Sequence, residues 1–167
     1  SDECMTLNTD QNNSSIVHVI GGSDPQLLSL HEKLESSGLN TLVLNEDQSF
    51  RNLLTTLDDV RPQSGFDEIH LYGPGKPGHQ KLGRGEITVE SLRAEKKLWQ
   101  QLGQMGRKGS DLLLYGCNLA KGQKGRELIA KIGMLTGLDV AASDDITGLD
   151  PSTTKSDWDL EVTVGSI

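Results

Sequence analysis

A cysteine that follows the most continuous apolar run of the chain is the residue best placed to do chemistry. Cys117 comes two positions after the run Asp111–Tyr115, which predicts a strand at the centre of a sheet. A cysteine at the carboxyl end of such a strand, ahead of a helix, lies where the helix N-terminus helps to stabilise a thiolate. The position favours a nucleophile about as strongly as it favours a small buried residue that closes a strand.

A glycine- and proline-rich segment follows a second apolar run, Phe66–Tyr72. The segment Gly73–His79 has neither the dinucleotide nor the P-loop spacing, so we expect no nucleotide cofactor. His79 lies within reach of a site at the same sheet edge, although exposure to solvent is the commoner outcome for such a residue. His70 lies inside the predicted strand and fits an interior histidine.

Two carboxylates follow a third predicted strand, Leu138–Ala142. If their loop faces the same cleft, Asp144 or Asp145 would hold a cationic side chain. The commoner alternative is a turn in which an aspartate bonds its own backbone. His18 and His31 have no companion at metal-ligand spacing and two cysteines are too few for a structural zinc site, so we expect no metal.

Strands and helices alternate along most of the chain, which predicts a mainly parallel sheet of about six strands with helices on both faces. The predicted strands are Ile16–Ile20, Thr41–Leu44, Phe66–Tyr72, Asp111–Tyr115, Leu138–Ala142 and Trp158–Val164. The predicted helices run from Pro25 to Gly38 and over Asp47–Val60, Glu90–Met105 and Gln123–Thr136. The segment Gly73–Gly85 is predicted as loop, with a short hairpin of Gln80–Leu82 and Glu86–Val89 as an option. A flavodoxin-like sheet fits the same pattern.

Length and charge limit the classes of protein. We expect a single α/β domain over residues 16–167, preceded by a disordered or extended leader over residues 1–15, in a chain of 167 residues. The net charge of −8 argues against nucleic acid as a partner. No stretch approaches the roughly 18 consecutive apolar residues of a membrane span, so we expect no membrane insertion. A bridge between Cys4 and Cys117 stays open.

Several of these segments together resemble a bacterial domain of unknown function that occurs near the N-termini of very large secreted, calcium-binding-repeat and adhesin-like proteins. The matching motifs include Tyr115–Asn118, Ala141–Asp144 and Trp158–Glu161. That domain is similar in turn to the caspase and gingipain clan of cysteine peptidases. The resemblance implies a caspase-like three-layer α/β sandwich and a secreted or cell-surface location.

In that clan a cysteine attacks the scissile carbonyl, a histidine carries the proton to the leaving amine, and the glycine after it donates its N–H to the oxyanion. By position, the resemblance assigns the nucleophile to Cys117 and the oxyanion N–H to Gly75. Pro74 stands where the histidine is expected. Proline has no titratable group, and His79 is only a weak alternative base. Loss of the histidine would remove most of the rate acceleration.

Two functions follow from this departure. The first is a catalytically degenerate module that binds a peptide or protein segment, including one of its own parent chain. The alternative is an active, self-processing cysteine endopeptidase with Cys117 as nucleophile. In that case Asp144 or Asp145 would form an acidic pocket that prefers Arg or Lys at the cleaved position. Neither function calls for a cofactor.

Overall fold

A six-stranded sheet forms the centre of the molecule, a computed structural model that describes residues 15–143 and 162–164. The main-sheet strands in chain order are β1 (Ile16–Ile20), β2 (Thr41–Val43), β3 (Phe66–Tyr72), β7 (Gly106–Tyr115), β8 (Asp139–Ala142) and β9 (Val162–Val164). Their spatial order is β2-β1-β3-β7-β8-β9, and all pairs are parallel except β8 with β9. The mainly parallel α/β sheet is therefore confirmed.

Five helices connect and cover the strands. They are α1 (Pro25–Ser36), α2 (Phe50–Val60), α3 (Val89–Ala94), α4 (Lys96–Met105) and α5 (Gly122–Thr136). The first begins where the Asp24 carboxylate accepts the N–H of Leu27, with Pro25 in the first turn. In α2 the side chains of Ser49 and Asn52 each bond the other's backbone N–H in a capping box.

The two faces of the sheet are covered unequally. One face packs its alternate residues, such as Ile69 and Leu71, against buried side chains of α2, α3, α4 and α5. The other face presents Ile20, Tyr72 and Tyr115 to a smaller cluster that is completed by α1. Helices on both faces were predicted correctly, but a single helix covers the second face in the described part of the chain.

Three segments differ from the sequence prediction. Strand β7 begins at Gly106, well before the predicted start at Asp111. The predicted loop Gly73–Gly85 contains strands β4 (Gly75–Lys76) and β5 (His79–Leu82) and the first residue of β6 (Gly85–Ile87). These three strands form a small antiparallel sheet. The optional hairpin is thus present. The predicted helix Glu90–Met105 is divided at Glu95, which leaves the helical region of backbone space at φ −115° and ψ 33°.

The strand order does not separate the two fold types that the sequence allowed. Numbered within the main sheet, the five parallel strands have the order 2-1-3-4-5 of flavodoxin-like sheets, and β9 is an antiparallel addition at the edge. No helix in the described part of the chain has the length and apolarity needed to cross a bilayer. The predictions for Cys4, for residues 1–14 and for Asp144 and Asp145 lie outside the described residues.

Candidate functional site

The loops that follow β3 and β7 lie directly against each other. The N–H of Gly73 donates to the carbonyl of Tyr115 at 3.1 Å. A Cβ atom on Gly75 would lie 3.0 Å from the carbonyl carbon of Gly116 and 3.1 Å from the carbonyl oxygen of Cys117. A Cβ atom on Gly116 would lie 2.9 Å from the carbonyl oxygen of Gly73. The glycines permit this approach, and it brings Gly75 to the cysteine loop.

The pairing of β4 with β5 decides where the N–H of Gly75 points. The N–H of Lys81 donates to the carbonyl of Pro74 at 2.8 Å, which makes these two residues a hydrogen-bonded pair. The next pair along the strands, Gly75 with Gln80, is then of the non-hydrogen-bonded kind. The N–H of Gly75 is therefore directed away from β5. The residues that Gly75 approaches closely are Gly116 and Cys117.

The turn that carries Cys117 has a sparsely populated backbone conformation. Asn118 has φ 56°, the one positive value among the described residues other than glycine. The N–H of Ala120 donates to the carbonyl of Ser143 at 2.8 Å, which ties this turn to the end of β8. Cys117 is half-buried at the sheet edge, and the turn separates it from the first residue of α5, Gly122.

His79 is engaged on the hairpin. Its Nε2 lies 2.7 Å from a carboxylate oxygen of Glu86 on the neighbouring strand. It also lines a surface groove with Lys76, Lys124 and Glu127. Its role as an alternative base for Cys117 stays a prediction.

Gln80 is a site residue that the sequence analysis missed. Its side chain is completely buried, and its Nε2 donates to the carbonyls of Leu71 at 3.2 Å and Tyr115 at 3.0 Å. These two carbonyls lie at the carboxyl ends of β3 and β7, so the amide bridges the strands that carry both loops. The sequence of β5, with polar residues at positions 79, 80 and 81, has no apolar alternation that would have marked Gln80 as buried. The prediction of a loop over this segment concealed it.

A hydrogen-bonded network lies beneath the loops on the face that α1 covers. Nδ1 of His18 lies 2.9 Å from the Tyr72 hydroxyl, and Nδ1 of His70 lies 2.9 Å from the Tyr115 hydroxyl. Nε2 of His70 lies 2.8 Å from a carboxylate oxygen of Glu68, and the two phenols also bond to each other. The strand register aligns these side chains, so that both the imidazoles and the phenols stack with ring centroids 4.4 Å apart. The network ends at Tyr115, next to Gly116.

Burial fixes the protonation states in this network. It lowers the pKa of His18 from 6.5 to about 4, and the charge of His70 adds to the effect. Burial raises the pKa of Tyr72 and of Tyr115 well above 10. The hydrogen bond from His70 lowers the pKa of Glu68. Near neutral pH, His18 is therefore uncharged and both phenols keep their protons.

Three carboxylates lie side by side at the other end of the same face. The register pairs Glu68 with Asp111 and Asp111 with Asp139. Partial burial, followed by the charges of Glu68 and Asp139, raises the pKa of Asp111. In the described part of the chain, no group of three or more His, Cys, Asp or Glu side chains has the arrangement of a metal site.

The amide bridge leads to a first prediction. Gln80→Met keeps the side-chain length but leaves the buried carbonyls of Leu71 and Tyr115 without this donor. Because the Tyr115 carbonyl keeps the N–H of Gly73 as a partner, we expect the free energy of unfolding in urea to fall by about 1 kcal/mol. Gln26→Met, at an exposed position of α1, is the control and should change stability by less than about 0.5 kcal/mol. Equal stability of the two variants would contradict the bridging role.

The His18 pKa gives a second prediction. We expect stability to fall as the pH is lowered from 6.5 to about 4, because over this interval the unfolded chain binds a proton at His18 and the folded chain does not. The difference between the pKa of His18 in the unfolded and folded chain corresponds to a loss of unfolding free energy on the order of 2–3 kcal/mol. Below pH 4.5 the lowered pKa of Glu68 adds to the loss, and the raised pKa of Asp111 opposes it.

Urea unfolding between these pH values measures the effect. His18→Gln should flatten the dependence, whereas His31→Gln, on the outer part of α1 beside Glu35, should leave it unchanged. If the unfolding free energy of His18→Gln changed with pH as steeply as that of the parent, another group would be responsible for the pH dependence.

Comparison with known proteins places the chain in one family. Its residues 13–167 match the sequence profile described as "Domain of unknown function (DUF4347)". No curated protein and no solved structure matches the chain. Because the profile covers nearly the whole sequence, including both loops of the candidate site, this protein belongs to the DUF4347 family of domains of unknown function.

Proposed function

We propose that this domain is a caspase/gingipain-like module of a large exported or surface protein, that it has lost catalysis, and that it binds a peptide or protein segment. One observation carries the proposal. Gly75, to which the resemblance assigns the oxyanion N–H, lies against the backbone of Gly116 and Cys117, and the residue before it is Pro74. Both loops needed to hold a substrate carbonyl are present, and the general acid is missing from its position.

The histidines of the chain are committed to other contacts. The pairs are His18 with Tyr72, His31 with Glu35, His70 with Glu68 and Tyr115, and His79 with Glu86. These four are all the histidines in the sequence. Protonation of a leaving amine needs a group within hydrogen-bond reach, so these contacts favour binding over turnover.

The remaining geometry supports binding of an extended backbone. The N–H of Gly75 is directed away from β5, and in this proposal it donates to a carbonyl oxygen of the bound segment. Gly75 and Gly116 let the backbones of the two loops approach each other, and Pro74, the residue before Gly75, is exposed. The antiparallel edge strand β9 and the separate antiparallel sheet of β4, β5 and β6 are compatible with a caspase-like sandwich.

One feature favours the alternative of an active endopeptidase. Sparsely populated backbone conformations concentrate at active sites, and Asn118, next to Cys117, has such a conformation. In that case a basic residue at the cleaved position would be preferred if Asp144 or Asp145 faces the cleft. This candidate remains second because it supplies no proton donor.

A panel of fluorogenic peptides with Arg or Lys at the cleaved position separates the two functions. We expect no turnover above that of Cys117→Ala. We also expect at least one peptide of the panel to slow alkylation of Cys117 by iodoacetamide, because a bound backbone would cover the sulfur. Turnover that disappears in Cys117→Ala would establish the peptidase instead. Absence of both turnover and protection would contradict binding at this cleft.

The missing histidine can be restored. In Pro74→His the new imidazole would lie beside Cys117 and stabilise its thiolate, so alkylation near neutral pH should be about tenfold faster. Pro77→His, an exposed position three residues further along the same segment, is the matched control and should leave the rate unchanged. Peptide mapping by mass spectrometry distinguishes Cys117 from Cys4. An unaltered rate in a folded Pro74→His protein would mean that position 74 does not face the cysteine.

A further inference from the structure

A second groove concentrates positive charge on this acidic chain. It lies where the start of α2, the β5–β6 turn and the start of α4 meet. We call it the basic groove and define it by Arg51, Arg84, Arg93, Glu95, Lys96 and Lys97. Five of these six side chains are cationic, although the whole chain carries a net charge of −8. No residue of the Cys117 loop lines it.

The five cations are available to a partner. All five residues are exposed, and none of them forms an ion pair with another described residue. Glu95 is the one carboxylate among the six. The groove therefore favours an anionic ligand.

An apolar pocket adjoins the basic groove and shares Ser49, Arg84 and Glu95 with it. Its apolar lining consists of Phe50, Leu82, Ile87 and Trp99. Trp99 is only 1% exposed and stacks on Phe50 with ring centroids 4.4 Å apart. Its Nε1–H is buried and has no acceptor among the described residues.

The same pocket is bounded by an open strand edge. Gly85, Glu86 and Ile87 line the pocket and form β6, which pairs with β5 on one side and is the edge of the small sheet. In the described part of the chain its outer edge pairs with no other strand. An extended polypeptide can add to such an edge by main-chain hydrogen bonds. A simple anion or a polysaccharide would use neither this edge nor the apolar lining.

We propose that the basic groove and its adjoining pocket bind an acidic, extended polypeptide segment. The segment adds to β6, its carboxylates pair with Arg84, Arg93 and Lys96, and one apolar side chain enters the pocket beside Trp99. Glu86 already pairs with His79, which reduces its repulsion of the ligand. This site is separate from the Cys117 cleft and does not rest on the function proposed for that cleft.

Fluorescence anisotropy with a labelled peptide of alternating Glu and Leu tests the proposal on the intact chain. Arg84→Glu should weaken binding about tenfold or more, because it reverses a charge at the junction of groove and pocket. Arg126→Glu, which makes the same change on the exposed side of α5, should leave affinity within about twofold. Raising the salt concentration from about 0.05 to about 0.3 M should also weaken binding. Equal losses in the two variants would overturn the assignment of the site.

Two further ligands decide the class of partner. The same peptide with proline at its central position has one backbone N–H fewer and should bind more weakly if it adds to β6. A sulfated polysaccharide that binds more tightly than the peptide and displaces it would overturn the choice of a polypeptide. Cys117→Ala should bind the labelled peptide as the parent does. Loss of binding in that variant would place the peptide at the Cys117 cleft instead.

Discussion

The parallel pairing of β3 with β7 is the constraint on which the candidate site depends. Parallel strands end at the same edge of a sheet, so this pairing brings the loops after Tyr72 and Tyr115 together. The side-chain amide of Gln80 then donates to one carbonyl at the end of each strand, that of Leu71 in β3 and that of Tyr115 in β7. The close approach of Gly75 to Gly116 follows from this spacing, as a Cβ atom at either position would collide with the other loop. Neither loop can shift without the other.

The same pairing creates a polar layer where a parallel sheet is ordinarily apolar. His70 pairs across with Leu113, but the Tyr115 hydroxyl gives it a hydrogen-bond partner, and the Tyr72 hydroxyl does the same for His18. Such a network is stable only when every member is satisfied, and burial makes any added charge expensive. The neutral state of His18 meets this condition near neutral pH. The strand ends that hold Cys117 are thus supported by hydrogen bonds that acid disrupts.

The sequence was sufficient for the elements whose pattern is local. The β-branched run Ile16–Ile20 and the Phe66–Tyr72 run were predicted with the bounds that the structure has. The sequence was insufficient where contacts with residues distant along the chain determine the local structure. Glu95 interrupts a segment of continuous helical periodicity, and Gln80 looks like a polar loop residue until the two carbonyls that it bridges are known. The position of Cys117 at a strand end was predictable, because the apolar run Asp111–Tyr115 ends two residues before it. The basic groove was not predictable from the sequence, since its cations come from four separate segments of the chain.

The geometry also limits what the glycines of the site say about catalysis. Gly75 and Gly116 are required by the distance between the β3 and β7 loops, whether or not a reaction occurs there. Their presence is therefore no argument for an active enzyme. Asn118 is different, because β-strand pairing does not require a left-handed residue at that position. Its conformation turns the chain sharply after Cys117 and presents the cysteine at the sheet edge. The left-handed turn after Cys117 is therefore a feature of the site that neither the strand pairing nor the close contact of the two loops accounts for.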